Sequence, residues 1–142
     1  MRVYLDTNVW FRIFDEPSKR IIKEKKAFYK ILYLSKLGRL KIVGSVFLDD
    51  EIELTSDKDK REAVFKFIST FLASKIDFIP KIYSVIMDKT RLTVKDSVHI
   101  ACAIEAKAEY FITVDDEIIK KRVEIKKFGI DVVNPVEFIE RF

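Results

Sequence analysis

Short apolar runs alternate with longer amphipathic stretches along the whole chain. Apolar runs of four or five residues, bounded by polar or turn-forming residues, are typical of strands buried in a sheet. We predict strands at five such runs, over residues 2–5, 40–43, 76–79, 110–114 and 130–133. Between the strands, apolar residues recur every three or four positions, which predicts helices. The clearest set is Ala63, Val64, Phe67, Ile68 and Phe71.

Capping and stop residues indicate where the helices begin and end. Ser18 is placed to cap a helix that runs to about Leu37, where Gly38 stops it. Pro80 suits the first turn of another helix, and Pro135 opens the last one. The remaining helices are predicted over residues 46–54, from 57 or 58 onward, and over 95–107 and 116–127.

The predicted elements follow the order β-α-α-β-α-α-β-α-α-β-α-β-α. Strands that alternate with helices indicate a parallel sheet covered by helices on both faces, with right-handed crossovers. The chain contains no repeat, low-complexity segment or Pro/Gly/Ser-rich linker. We therefore predict one α/β domain over residues 1–142.

The composition predicts a hydrophobic core, a mild positive charge and a cellular location. Hydrophobic residues make up 49% of the chain and twelve residues are Phe, which is enough for a sizeable core. Lys and Arg exceed Asp and Glu by 27 to 23, which suits a polyanionic partner without demanding one. No run approaches the roughly 18 apolar residues of a membrane helix, and the single cysteine excludes an internal disulfide. We expect a soluble cytoplasmic protein.

Four acidic residues fall where the strands of a parallel sheet end. Asp6 follows the first strand directly and Asp115 follows the fourth. Glu51 lies in the helix after the second strand, and Asp96 lies in the first turn of the 95–107 helix. Ligands of open parallel sheets bind outside the carboxyl ends of the strands. The sequence therefore predicts a cluster of carboxylates at this edge.

Each acid also has a simpler interpretation as a helix cap or a helix-dipole partner. Asp96 stands three residues after Thr93 in a capping-box pattern, Asp6 could cap the next helix, and Asp115 or Asp116 could cap the 116–127 helix. Independent caps, however, have no need to converge on one edge. Two carboxylates about 4 Å apart repel each other by roughly 4 kcal/mol at an effective dielectric of about 20. Four of them call for protons or a cation, and all-oxygen ligands favour Mg²⁺ or Mn²⁺.

Four short motifs in the expected order resemble those of the PIN-domain family, which includes the VapC-like toxin ribonucleases. They are Asp6-Thr7-Asn8, Ser45 followed six residues later by Glu51, Asp96-Ser97-Val98-His99, and Thr113-Val114-Asp115. Ser97 stands where Ala is more usual. The resemblance implies a five-stranded parallel sheet ordered 3-2-1-4-5, an acidic pocket and metal-dependent endoribonuclease activity. It also implies an RNA substrate, a possible antitoxin partner, as in VapBC pairs, and a homodimer.

The resemblance assigns roles to individual residues. Asp6, Glu51, Asp96 and Asp115 match the catalytic acids, and Asp6, Asp96 and Asp115 are the expected Mg²⁺ or Mn²⁺ ligands. Thr7, Asn8 and Thr113 match polar positions around these acids. Asp116 and Asp50 are neighbouring acids that could replace or supplement the matched ones.

Other candidate residues remain open from the sequence. His99 lies on the same helical face as Asp96, so it could touch substrate phosphate, orient an acid or be a buried structural histidine. Cys102 is expected in the core. Arg12, Lys95 and either Lys89 or Arg91 could hold substrate or be ordinary surface residues. The alternative to an enzyme is a non-catalytic PIN scaffold that binds RNA or a protein partner.

Overall fold

The computed structural model describes residues 1–142 as five strands, nine α-helices and one 3₁₀ turn. The strands are β1 (Arg2–Leu5), β2 (Lys41–Ser45), β3 (Leu72–Ile76), β4 (Tyr110–Ile112) and β5 (Asp131–Val133). The first four helices are α1 (Thr7–Phe11), α2 (Lys19–Lys36), α3 (Val46–Glu53) and α4 (Lys58–Phe71). The others are α5 (Tyr83–Thr90), α6 (Val94–Glu105), α7 (Asp116–Ile119), α8 (Arg122–Lys126) and α9 (Pro135–Arg141). The 3₁₀ turn, Arg12–Phe14, follows α1.

All five strands are parallel and lie in the order β3-β2-β1-β4-β5. The central strand β1 pairs with β2 and β4, so that Tyr4 lies between Val43 and Phe111. Residues 3–5 are fully buried, as expected of a strand that has neighbours on both sides and helices over both faces. The predicted α/β class and strand order are confirmed.

Helices cover the sheet in two groups. Helix α2 packs against α4 and α9, and α6 packs against α5, β2 and β4. Small side chains on α6, among them Ser97, Ala101 and Ala103, are fully buried and let this helix lie close to the sheet. Gly44 on β2 also permits close packing, because a Cβ at this position would stand 2.8 Å from a methyl carbon of Leu72. The resulting core is a single cluster of 32 buried residues.

The third strand lies four residues earlier than the sequence predicts. The apolar run at residues 76–79 is mostly loop, and its Phe78 and Ile79 are half-exposed. Strand β3 instead includes the exposed residues 73–75, because it is an edge strand that pairs only with β2. An edge strand buries less of its surface than a central one, so the apolar pattern used to predict strands is weak there.

The predicted helix over residues 116–127 is also corrected, since two short helices, α7 and α8, occupy that range. Lys121 interrupts them with a backbone conformation outside the helical region. The other predicted boundaries agree with the structure to within a few residues. No helix is long and apolar enough to cross a membrane.

Candidate active site

A cavity of about 380 Å³ opens at the carboxyl edge of the sheet and brings the four predicted acids together. Only two of its ten lining residues are hydrophobic. Lys95 is the one basic residue among them. The lining is Asp6, Thr7, Asn8, Phe11, Glu51, Leu54, Thr55, Lys95, Asp96 and Asp115.

Asp6 is the most deeply buried of the four acids, with 6% of its surface exposed. It directly follows β1 and caps α1, because its Oδ1 accepts a hydrogen bond from the backbone N–H of Thr7 at 2.9 Å. Its Oδ2 accepts from the Thr113 hydroxyl at 2.9 Å. Burial raises the pKa of Asp6 to about 6, and the hydrogen bonds together with His99 only partly offset it. Asp6 is therefore both the N-cap of α1 and an acid of the cavity.

Thr113, fully buried at the end of β4, links Asp6 to Asp115. Its hydroxyl oxygen donates to Asp6 and accepts from the backbone N–H of Asp115 at 3.0 Å. Asp115 in turn caps α7, with its Oδ1 accepting from the backbone N–H of Glu117 at 2.9 Å. The side-chain oxygen of Asn8 accepts from the N–H of Val114 at 3.4 Å. These bonds fix the end of β4 relative to the end of β1.

Glu51 reaches the cavity from α3 and contacts two residues of α6. Its Oε1 is hydrogen-bonded to Nε2 of His99, and its Oε2 lies 3.5 Å from Nζ of Lys95. Partial burial acts to raise the pKa of Glu51, but the bond to His99 and the charge of Lys95 outweigh it and hold the pKa below its ordinary value. Glu51 is therefore ionised at neutral pH.

His99 belongs to a buried polar chain that sequence reasoning did not find. It is 2% exposed, and its Nδ1 lies 2.7 Å from the Tyr4 hydroxyl, which lies 2.8 Å from Oγ of Ser45. An ionised carboxylate only accepts hydrogen bonds. When the His99 ring is neutral, Nε2 therefore donates to Glu51 and Nδ1 accepts from Tyr4, which leaves the Tyr4 oxygen to accept from Ser45. His99 is thus hydrogen-bonded to one of the cavity acids, Glu51.

Asp96 occupies the first turn of α6. Thr93 caps this helix by accepting from the backbone N–H of Asp96 at 3.1 Å, while the Asp96 carboxylate lines the cavity. Partial burial raises the pKa of Asp96, and the charge of Asp115 adds to that effect. The two lie close enough to influence each other electrostatically.

Asp116 does not line the cavity, unlike its neighbour Asp115. Its two carboxylate oxygens accept from the Arg20 guanidinium at 2.9 Å each, on the protein surface. Asp50 is exposed and also lies outside this cavity.

Among the basic candidates, Arg12 is held by the buried Glu24 at 2.6 Å, and only Lys95 reaches the cavity. Cys102 is fully buried, as expected.

The donor set of the cavity is suited to a hard cation. The four acids line it without forming a group of three side chains already gathered around one point. Asp6 is buried without an ion-pair partner, and the buried Thr7 lines the same cavity close enough to Glu51 to help lower the pKa of that carboxyl. Mg²⁺ is often bound through one or two carboxylates and retains several waters, so it does not need a closed cage.

Comparisons with known proteins identify the family of the chain and its fold. The PIN domain family model matches residues 3–124. A similar solved structure is that of VapBC2 from Rickettsia felis bound to a DNA fragment from their promoter, with a TM-score of 0.60 and 14% sequence identity. The match covers 94% of this chain and 98% of that one. A search of curated proteins found no significant match. On the extent of the family match, the chain belongs to the PIN-domain family.

Proposed function

We propose that this protein is an endoribonuclease that hydrolyses RNA phosphodiester bonds with Mg²⁺ or Mn²⁺. The observation that carries the proposal is the convergence of Asp6, Glu51, Asp96 and Asp115, from separate parts of the chain, on one polar cavity. Nuclease activity is general in the PIN family. The absence of a second histidine rules out a histidine-pair mechanism.

The metal would be held by Asp6, Asp96 and Asp115, directly or through water. When bound, it would lower the pKa of a water molecule and offset charge on the phosphate oxygens. The raised pKa of Asp6 supports this assignment, because a buried carboxylate without a basic partner gains from a cation.

The protein's own side chains would orient the attacking water and the acids around it. Glu51, ionised and bound by His99 and Lys95, would accept a hydrogen bond from that water. Thr113 holds Asp6 and positions Asp115 through their shared hydrogen bonds. By analogy with the family, we expect products with a 5′-phosphate and a 3′-hydroxyl.

We further propose that the protein is the toxin of a VapBC-type pair. Support comes from the PIN match and from the fold shared with the VapBC2 complex. The test is expression in a bacterial host: wild type should arrest growth and Asp96→Asn should not. Co-expression of the product of an adjacent small gene should relieve the arrest.

A cleavage assay tests the enzyme proposal directly. Labelled single-stranded RNA and total cellular RNA are incubated with wild type or Asp96→Asn, with Mg²⁺, Mn²⁺ or EDTA. We expect cleavage by wild type only with metal, and none by Asp96→Asn, because Asn keeps the shape but removes the charge that a hard cation needs. Cleavage that survives EDTA would overturn the metal mechanism. RNA binding without cleavage of any RNA would favour the scaffold alternative.

A further inference from the structure

The positive charge of this protein is concentrated on one helix. The whole chain has 27 basic and 23 acidic residues. Helix α2 alone has seven basic residues and one acidic residue, which leaves twenty basic and twenty-two acidic residues elsewhere. The net charge of +4 therefore comes from α2, at +6, and the rest of the chain is at −2.

Four of these basic residues form one exposed row, which we call the lysine row: Lys19, Lys23, Lys26 and Lys30. They follow each other at intervals of four, three and four residues, which places them along one side of the helix. All four are exposed, and none forms an ion pair. The one acid of α2, Glu24, is buried and bound to Arg12 and Arg20, so it does not neutralise the row.

The first turn of α2, where the lysine row starts, is bound to the segment that carries Asp115. Arg20, in the first turn of α2, donates to the backbone oxygen of Val114 at 2.9 Å and also binds Asp116. Val114 directly precedes Asp115, which lines the cavity. From Lys19 to Lys30 the helix rises by about 16 Å, which is long enough to face several consecutive phosphates.

Two tyrosines lie next to the far half of the row. Tyr29 and Tyr33 follow Lys26 and Lys30 at a spacing of three residues, and they are 51% and 62% exposed. Like charges one turn apart repel each other in the free helix, and a polyanion would relieve that repulsion. Exposed aromatic rings beside lysines are also the combination on which unpaired bases stack. Lysines and aromatic rings together favour a nucleic acid over an acidic protein.

We propose that the lysine row binds the phosphate backbone of the RNA whose neighbouring segment enters the cavity. The inference rests on the proposed function, since the RNA held by the row is the one that the cavity would cut. It makes α2 a substrate-holding surface outside the acidic cavity. It also explains how an acidic cavity with one lysine can retain a polyanion.

The test compares two triple variants of equal charge. The row variant carries Lys23→Gln, Lys26→Gln and Lys30→Gln, and the control carries Lys41→Gln, Lys66→Gln and Lys81→Gln on other exposed positions. Binding of a fluorescent single-stranded RNA of about 20 nucleotides is measured in EDTA over a range of salt concentrations. Each phosphate contact contributes about 0.7 to the slope of log K against log salt. We expect the slope to fall by about 2 and the Kd to rise about tenfold or more in the row variant alone.

Cleavage with metal separates this inference from the proposed function. An RNA of about four nucleotides is as short as the smallest single-strand binding sites. It should not span both the cavity and the lysine row, so both variants should cut it equally. The long RNA should show a raised KM in the row variant with kcat unchanged. Equal RNA binding by the row variant and the control would overturn the inference even if RNA is cut, and would point to a protein partner. Weakened binding in EDTA by the row variant, with no RNA cut by wild type, would support the row and overturn the nuclease.

Discussion

Two buried carboxylates in this protein have opposite electrostatic surroundings. Glu24 on α2 and Asp6 after β1 are 2% and 6% exposed. Glu24 binds the guanidinium groups of Arg12 at 2.6 Å and Arg20 at 3.4 Å. Asp6 forms no ion pair and accepts hydrogen bonds only from the Thr7 backbone and the Thr113 hydroxyl.

We propose that this difference separates a structural acid, Glu24, from a functional one, Asp6. A buried charge is stable when it is paired, and the protein provides two cations for Glu24. Asp6 has no ion-pair partner, so burial raises its pKa to about 6 although the nearby His99 opposes the shift. The same acid faces a cavity with three further carboxylates. Burial of the ionised Asp6 carboxylate lowers the free energy of unfolding, and a bound cation would restore that loss.

The largest predicted effect on stability is that of removing the charge of Glu24. Glu24→Gln leaves the partly buried Arg12 with only Asp15 as an ionic partner. We expect the free energy of unfolding to fall by about 3 kcal/mol, at the low end for breaking a buried ion pair. Urea denaturation at pH 7 measures it. Glu62→Gln, which breaks an exposed pair with Lys58 on α4, is the control and should change stability by less than about 0.5 kcal/mol.

RNA cleavage by Glu24→Gln should match wild type at temperatures well below its melting point. A loss of metal-dependent cleavage without a loss of stability would contradict the division into structural and functional acids.

The second predicted effect has the opposite sign, because Asp6→Asn should stabilise the metal-free protein at neutral pH. The folded pKa of Asp6, about 6, lies above the value of about 3.9 expected in the unfolded chain. Its contribution to stability is therefore complete below about pH 4 and is lost as pH rises through about 6. This loss is about 2 to 3 kcal/mol. Urea denaturation in EDTA from pH 4 to 8 should show Asp6→Asn gaining on wild type by that amount.

Mg²⁺ should reverse the ranking of the two proteins. A ligand that binds only the folded state raises the melting temperature, and wild type should gain more from Mg²⁺ than Asp6→Asn does. Equal gains in both proteins would remove Asp6 from the metal site. A stability difference that does not vary with pH would show that Asp6 is not the titrating group.

The sequence predicts the buried strands of this fold better than the exposed edge strand β3. The apolar residues of β1 and β4 identify central strands, and the acids that follow them identify the carboxyl edge. The edge strand β3 escapes detection because residues 73–75 are exposed and polar or small, whereas the apolar Phe78 and Ile79 lie in the following loop. Burial, not strand formation itself, is what an apolar pattern reports.

The site divides in the same way. Acids such as Asp6 and Asp115 have a local signal, since each directly follows an apolar run of the sequence. The contact of His99 with Glu51 joins residues 48 positions apart, and that of Tyr4 with His99 joins residues 95 apart. No local pattern distinguishes a strand tyrosine that binds a histidine from one that only packs. The sequence favours Asp115 over Asp116 because Asp115 follows the apolar run directly, and the structure adds that Asp116 is bound to Arg20 outside the cavity.

A smaller effect is predicted for Tyr4→Phe, which tests how Glu51 is held. Loss of the hydroxyl leaves Nδ1 of His99 without its partner and should cost about 1 to 2 kcal/mol of stability. Because Glu51 then loses its fixed orientation, we expect kcat for RNA cleavage to fall about tenfold with KM unchanged. Tyr110→Phe on β4 removes a hydroxyl that has no hydrogen bond within the protein and should change neither.

A spectroscopic readout separates positioning from simple loss of stability. His99 is the only histidine, so its ring nitrogens give the only imidazole signals in ¹⁵N NMR. At a pH where the ring is neutral, wild type should show Nε2 protonated and Nδ1 unprotonated, and Tyr4→Phe should show a mixture of the two tautomers. A mixture already present in wild type would contradict the proposed direction of the hydrogen bonds.

The smallest effect is expected at Asp116, and comparison with Asp115 makes it informative. Both acids begin α7, but Asp115 lines the cavity whereas Asp116 binds the exposed Arg20. Surface ion pairs are screened by solvent and salt, and Arg20 keeps its bond to the Val114 oxygen when Asp116 is neutral. Asp116→Asn should therefore leave the rate of RNA cleavage within about threefold of wild type, while Asp115→Asn removes most of it. The measurement is kcat/KM on one RNA with saturating Mg²⁺. If Asp116→Asn abolishes cleavage and Asp115→Asn spares it, the acid that completes the metal site is Asp116, and Arg20 must release it when metal and RNA bind.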